Sequence, residues 1–187
     1  MILCVIGEIG SGKTTVAQML GRKRFQVIEL GDVVRESMRS KGMPIDRKSI
    51  RDYALKMRLR YGKDVFAKHT ARLIKGKKRN VAIFGVRSDY ELKYLKRHLK
   101  HLKTVAIFAS EKVRFLRIKK RKKHEDPKTI KEFIWLERKE ERGYMNSQKE
   151  RKHGILTVIK NADYVLANTG TLQELERSLD RLILAVG

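Results

Sequence analysis

An apolar run, Met1–Ile6 (MILCVI), leads directly into G-E-I-G-S-G-K-T at Gly7–Thr14. Helically spaced apolar residues follow at Val16, Met19 and Leu20. The eight residues fit G-x-x-x-x-G-K-[ST], a phosphate-binding loop that joins a buried strand to a helix. The chemistry requires that order. Gly7, Gly10 and Gly12 let the backbone turn tightly and aim its N–H groups inward, a nest for anionic oxygens. A helix starting near Lys13 adds the positive end of its dipole. Lys13 is then placed to reach the β- and γ-phosphates, and the Thr14 hydroxyl to ligate Mg²⁺. The motif specifies nucleotide phosphate; it does not specify a reaction.

The rest of the chain supplies further pieces of the same kind. Phe25–Leu30 (FQVIEL), Val81–Phe84 (VAIF), Thr104–Ala109 (TVAIFA) and Tyr164–Ala167 (YVLA) read as short buried strands. Amphipathic helices are expected between them. One is Asp89–Leu102, with Leu92, Leu95, Leu99 and Leu102 on one face. Another is Glu111–Lys122, with Val113, Leu116 and Ile118 inward, and a third runs from Pro127 to about Arg142. Asp46 reads as the N-cap of a helix through Leu59, and Val65–Ile74 as the next helix. Ser37–Ile45 reads as a break, punctuated by Gly42 and Pro44. Ile155–Asn161 is expected to be helical, and Thr171 to cap a closing helix over Leu172–Val186. Strands alternating with helices predict a five-stranded parallel sheet with helices on both faces, a three-layer α/β sandwich. The chain reads as one domain: a core at 1–30, 79–122 and 155–187, a helical insert at 31–78 and a lid region at 123–145. The insert is too long for a simple crossover and long enough to hold a second substrate facing the loop.

With 187 residues the chain suits one domain with a real core. No apolar run reaches the ~18 residues of a membrane span, and Met1–Ile6 lacks the basic start of a signal peptide. Cys4 is the one cysteine, so no intrachain disulfide forms, which agrees with a cytoplasmic protein. The five histidines are scattered and predict surface residues rather than a metal site. The formal net charge is +24, from 45 Lys+Arg against 21 Asp+Glu. A nucleotide site uses only a few of these cations. The surplus gathers at Lys75–Arg79, Lys93–Lys103 and Arg114–Lys123, which fits a surface for RNA or another polyanion. It fits equally the Lys-rich solvated helix faces of a protein from a hot or salty cytoplasm. No RNA-binding motif with interleaved aromatics is visible along the chain.

Asp32 lies where a carboxylate would leave the carboxyl edge of the sheet, and Arg35 lies one helical turn on. The pair reads either as an N-cap with its salt bridge or as a metal–water contact beside an acceptor clamp. With these pieces in order, the chain resembles the nucleoside monophosphate kinase group of P-loop kinases. It looks closest to archaeal nucleotide kinases related to adenylate kinase and dephospho-CoA kinase. GEIGSGKTT (7–15), GDVVRE (31–36), GVRS (85–88), RFLRIKKR (114–121), HEDP (124–127) and ADYVLANTGTLQEL (162–175) carry the resemblance over nearly the full length.

The resemblance implies a transfer of the γ-phosphoryl group of ATP, or of GTP, to a nucleoside monophosphate or a dephospho-CoA-like acceptor, with Mg²⁺. Gly7, Glu8, Ile9, Gly10, Ser11, Gly12, Lys13, Thr14 and Thr15 would surround the donor phosphates. Arg117 and Arg121, at the base of the lid, and Asn168, near the base, would complete the ATP site. Asp32, Arg35 and Arg87 would bind the acceptor, and Thr14 and Asp32 would hold the metal. Arg121, Arg138 and Arg142 would close with the lid, leaving Lys13, Asp32 and Arg138 as the catalytic set. One departure stands out. Phe84 occupies the end of the third strand, where these kinases usually place an acid, and no carboxylate replaces it locally. That and the charge keep a second reading open, a nucleotide-binding, RNA-associated ATPase with weak transfer or none.

Overall fold

The computed structural model describes residues 1–76, 80–121, 126–143 and 154–187, apart from the side chains of Arg47 and residues 139–143. Five strands form one sheet: β1 (Ile2–Gly7), β2 (Gln26–Glu29), β3 (Val81–Phe84), β4 (Leu102–Phe108) and β5 (Tyr164–Ala167). Their order is β2-β3-β1-β4-β5, and every pairing is parallel. The central strands β1 and β3 are apolar at nearly every position because both their faces are covered, while the edge strands β2 and β5 are partly exposed. Leu3 and Val5 point to one face, with Ala82, Phe84, Val105 and Ile107. There they meet α1 (Lys13–Arg22) and α9 (Leu172–Val186). Cys4 and Ile6 point to the other face, with Val81, Ile83 and Ala106. That face is covered by α2 (Leu30–Arg39), α3 (Arg47–Tyr61), α4 (Val65–Ile74), α5 (Asp89–His98) and α8 (Ile155–Lys160). Cys4 is fully buried, and burial pushes its thiol up to about 12, so it serves as a small hydrophobe.

Several expected boundaries stand as drawn, among them α4, β3, β5 and α9. Asp46 caps α3, its carboxylate accepting from the N–H groups of Lys48 and Ser49. Thr171 and Glu174 form a reciprocal capping box on α9. Others shift, each for a packing reason. β2 stops at Glu29 and α2 begins at once with Leu30, because Leu30, Val34 and Met38 make one buried helical stripe. The same stripe carries α2 through the expected break at Ser37. The helix expected to reach Leu102 ends at His98. Leu99 and Leu102 still face the core, but His101, at φ 60, turns the chain and Leu102 opens β4. In α6 (Glu111–Arg121) Leu116 is exposed, and Arg114 is buried with Ile118. Outside both sheet faces, α7 (Ile130–Gly143) buries Phe133 fully, against Phe115 and Arg114.

The β4–β5 end of the sheet is pinned by one carboxylate. Asp163 accepts from the N–H and hydroxyl of Thr104, at 2.7 and 2.6 Å, and from Lys96 at 3.2 Å. Partial burial pushes its pKa up, but the Thr104 hydrogen bonds and Lys96 outweigh this and hold it below the ordinary value. A depressed folded-state pKa gives stability that is present above the unfolded pKa of about 3.9 and lost as pH falls through the folded value. Asp163→Ala is therefore expected to cost about 1–3 kcal/mol at neutral pH. Thermal melts followed against pH should show the gap to wild type closing in acid. A gap that does not change with pH would mean that the carboxylate's charge contributes nothing.

Among the described residues no helix is long and apolar enough to cross a membrane.

Candidate active site

The strand order reverses at β1: the chain runs from it to β2 on one side and places β4 and β5 on the other. The crevice at the carboxyl end of such a strand is where open α/β sheets bind ligands. The loop Glu8–Gly12 lies there. Gly10 and Gly12 have φ of 76 and 105, in the left-handed region. Space is closed as well. A Cβ on Gly10 would lie 2.7 Å from the Arg114 carbonyl oxygen, and one on Gly12 would collide with Asn168 Nδ2.

The loop is held from both sides. Asn168, just beyond β5, donates from Nδ2 to the Ser11 carbonyl at 2.8 Å. Arg117 donates to the Asn168 carbonyl and side-chain oxygen at 3.0 and 3.1 Å. On the other side, Arg114 is 4% exposed. It donates to the carbonyls of Ala109 and Ile9, each at 3.1 Å, and pairs with Glu8 at 3.2 Å and with Glu137 of α7. Burial raises the Glu137 pKa, more than the Arg114 guanidinium lowers it. Lys13 folds its ammonium over the loop, donating to the Gly7 and Glu8 carbonyls at 2.8 Å each. Ser11 Oγ and Arg117 Nη1 are buried without a hydrogen-bond partner among the described residues. A hydroxyl and a guanidinium N–H in that state, beside a nest of backbone donors, are the groups that an oxyanion satisfies. The donor set therefore fits nucleotide phosphate.

Beside the loop is a cavity of about 90 Å³. Lys13, Arg87, Glu8, Glu29 and Glu137 are among the residues that line it, the Glu8 and Glu137 carboxylates being paired with Arg114. Arg87 stands on the turn after β3. Its N–H donates to Glu91 at 2.9 Å, and the fully buried Glu91 is itself paired with Arg58 at 2.8 Å. Glu29 closes β2 in register with Phe84 on β3. A Cβ on Gly85 would lie 3.2 Å from Glu29 Cγ, so the glycine lets the glutamate pass.

Set against the sequence, Glu29 rather than Asp32 is the β2-side carboxylate of the cavity. Asp32 lies in the first turn of α2, largely exposed and bound to Arg35 at 2.6 Å. It does not cap the helix and does not line the cavity. Arg35 lies 3.7 Å from Glu29, held between two acids. The carboxylate nearest in register to Phe84 is Glu29, one strand over. Thr14 is exposed on the first turn of α1. Arg138 is exposed on α7, while its neighbour Glu137 faces the cavity. Arg121 is gripped by Asp126 at 2.6 and 2.5 Å. The side chain of Arg142, and His124 and Glu125 of the expected lid acids, lie outside the described residues. Sequence reasoning passed over Glu29, Arg114 and Glu137. Glu29 left a signal, being the last polar residue of FQVIEL at the carboxyl edge. Arg114 and Glu137 left none, since each looks like one more charge on a charged helix.

A glycine loop at the reversal point of a 2-3-1-4-5 parallel sheet, with its lysine over the loop and arginines from later helices around it, defines a P-loop domain of the kinase type. The chain belongs to the AAA_18 family, described as an AAA domain, whose model matches residues 3–156. It is 34% identical over 188 residues to the UPF0200 protein PH1008 of Pyrococcus horikoshii, covering 98% of this chain and 96% of that protein. It is 31% identical over 182 residues to the UPF0200 protein MMP1282 of Methanococcus maripaludis, covering 96% and 93%. Among solved structures it is similar to TT1252 from Thermus thermophilus, with TM-score 0.64, 21% identity and coverage of 100% and 98%. It is also similar to a shikimate kinase from Acinetobacter baumannii in complex with shikimate, with TM-score 0.55, 16% identity and coverage of 98% and 93%. At these identities the structural likeness is one of fold. P-loop kinases typically use ATP and Mg²⁺.

Proposed function

We propose that the protein moves the γ-phosphoryl group of ATP to a hydroxyl of a small acceptor, and that Glu29 receives the hydroxyl proton. The observation that carries this reading is the shared cavity of Lys13, Arg87 and Glu29. In the transfer the acceptor oxygen forms a bond to the γ-phosphorus. The bond to the β,γ-bridging oxygen breaks, ADP leaves with the electron pair, and the proton passes to the Glu29 carboxylate. Lys13 and the loop N–H groups hold the donor phosphates, with Arg117 and Asn168 beside them. The Thr14 hydroxyl and the nucleotide's own oxygens would hold Mg²⁺, which neutralises charge on the phosphates when bound.

The wall chemistry favours an alcohol over a phosphate as acceptor. A phosphate dianion beside Arg87 would face the Glu29 carboxylate, and like charges at close range disfavour it. A hydroxyl puts no charge at the reacting oxygen and needs a base to accept its proton. A dephospho-CoA-like alcohol belongs to that class; a nucleoside monophosphate does not. A gluconokinase and a shikimate kinase bound to shikimate share the fold.

The test follows labelled ATP with Mg²⁺ against dephospho-CoA, gluconate, shikimate and the nucleoside monophosphates. Label on an alcohol and on none of the monophosphates is the expected result. Transfer to a monophosphate at a comparable rate overturns the hydroxyl assignment. Release of free phosphate alone, whatever the acceptor, overturns the transferase reading.

A further inference from the structure

Aromatic and basic residues alternate along α5, and the fold sets further cations beside them from the α4 side. On α5, Tyr90, Tyr94 and His98 recur every fourth residue and form a row along one face. Tyr94 and His98 stack, with ring centroids 3.9 Å apart and planes inclined by 16°. From the α4 side, Lys63 lies over the Tyr90 ring at 4.8 Å and Lys68 over Tyr94 at 5.8 Å. The contacts advance in step, 63 with 90 and 68 with 94, so the two helices run in the same direction. The next exposed cation on that face of α4 is Arg72. Lys93 and Arg97 border the row on α5, and both are exposed. Lys63, Asp64, Tyr90, Lys93, Tyr94 and Arg97 enclose a depression of about 330 Å³. Asp64 and Asp89 are the acids there. They hold Lys68 at 2.8 Å and Lys93 at 2.7 Å, which leaves the groove cationic.

We propose that this groove between α4 and α5 binds single-stranded nucleic acid. Aromatic rings in line, flanked by cations on both banks, are the two elements of sequence-tolerant single-strand binding: faces for bases and charges for phosphates. The row from Tyr90 to His98 spans about 12 Å at ~1.5 Å per residue. At ~3.4 Å per stacked nucleotide that holds three or four bases. The site is distinct from the phosphate loop and does not depend on the phosphotransfer reading.

The test is fluorescence anisotropy of a short labelled oligoadenylate RNA against salt. The pair Lys93→Glu and Arg97→Glu is expected to weaken binding by about tenfold or more and to flatten the log–log salt slope by about 1.4, at ~0.7 per lost phosphate contact. ATP affinity should not change. The pair Lys119→Glu and Lys120→Glu on α6 should have little effect on RNA. Tyr94→Phe keeps the ring and should bind as wild type, while Tyr94→Leu should lose about fivefold or more. An equal loss from the α6 pair would show diffuse attraction to net charge and overturn the groove. So would duplex RNA bound as tightly as the single strand, or Tyr94→Leu binding as well as Tyr94→Phe with both folded by thermal melt.

Discussion

Lys13→Ala is expected to weaken ATP binding by about hundredfold or more, equivalent to ~2.7 kcal/mol, while the fold is retained. The two halves of that expectation have separate causes. The lysine's hydrogen bonds to the Gly7 and Glu8 carbonyls are only partly buried, at the edge of an open cavity where water can take its place. Its effect on stability should therefore stay within about 0.5 kcal/mol, as for other surface changes. Toward a nucleotide it is the one side chain of the motif that places a full positive charge within the nest. Calorimetric titration with ATP, beside a thermal melt, separates the two. An unchanged affinity would remove the phosphate-loop assignment itself.

Glu29→Gln carries the second large effect. The amide keeps the shape and the neighbours of the glutamate but cannot take a proton. Turnover is expected to fall about 10²–10⁴-fold, the usual contribution of general base catalysis, with ATP affinity retained. Asp32→Asn, by contrast, should alter turnover little, since Asp32 is bound to Arg35 outside the cavity. If Asp32→Asn abolished transfer and Glu29→Gln did not, the base would have been assigned to the wrong carboxylate. The packing of Phe84 is consistent with the proposed base lying on the next strand. Phe84 is 5% exposed and packs with Val5, Val16 and Leu20 beneath the sheet. A carboxylate there would be buried among apolar side chains, while Glu29, in register one strand over, reaches the cavity edge.

Much of the architecture was legible because burial leaves a period in the chain. VAIF is apolar at every residue, as befits a strand covered on both faces, whereas YVLA keeps the pattern at the sheet edge with Val165 exposed. Asp46 and Thr171 could be read as caps because a side-chain oxygen before a helix has one local task. Boundaries slipped where the period was ambiguous. Leu95, Leu99 and Leu102 face the core whether the chain continues as helix or turns at His101 into a strand.

By itself the sequence determined the phosphate loop, the alternation of strand and helix, and the apolar layers on which they pack. These depend on neighbours close along the chain. Only the tertiary structure decided which charges face the cavity and which face water. Arg114 and the Ile9 carbonyl it binds are 105 residues apart. Glu29 and Phe84 meet through strand register, and Lys68 and Tyr94 through the packing of two helices. A charged residue on an amphipathic helix looks the same in sequence whether it is solvated or buried, because its partner comes from elsewhere in the chain. Burial and pairing of charge are settled by the three-dimensional contacts, and the chemistry proposed for this site and for the α4–α5 groove rests on them.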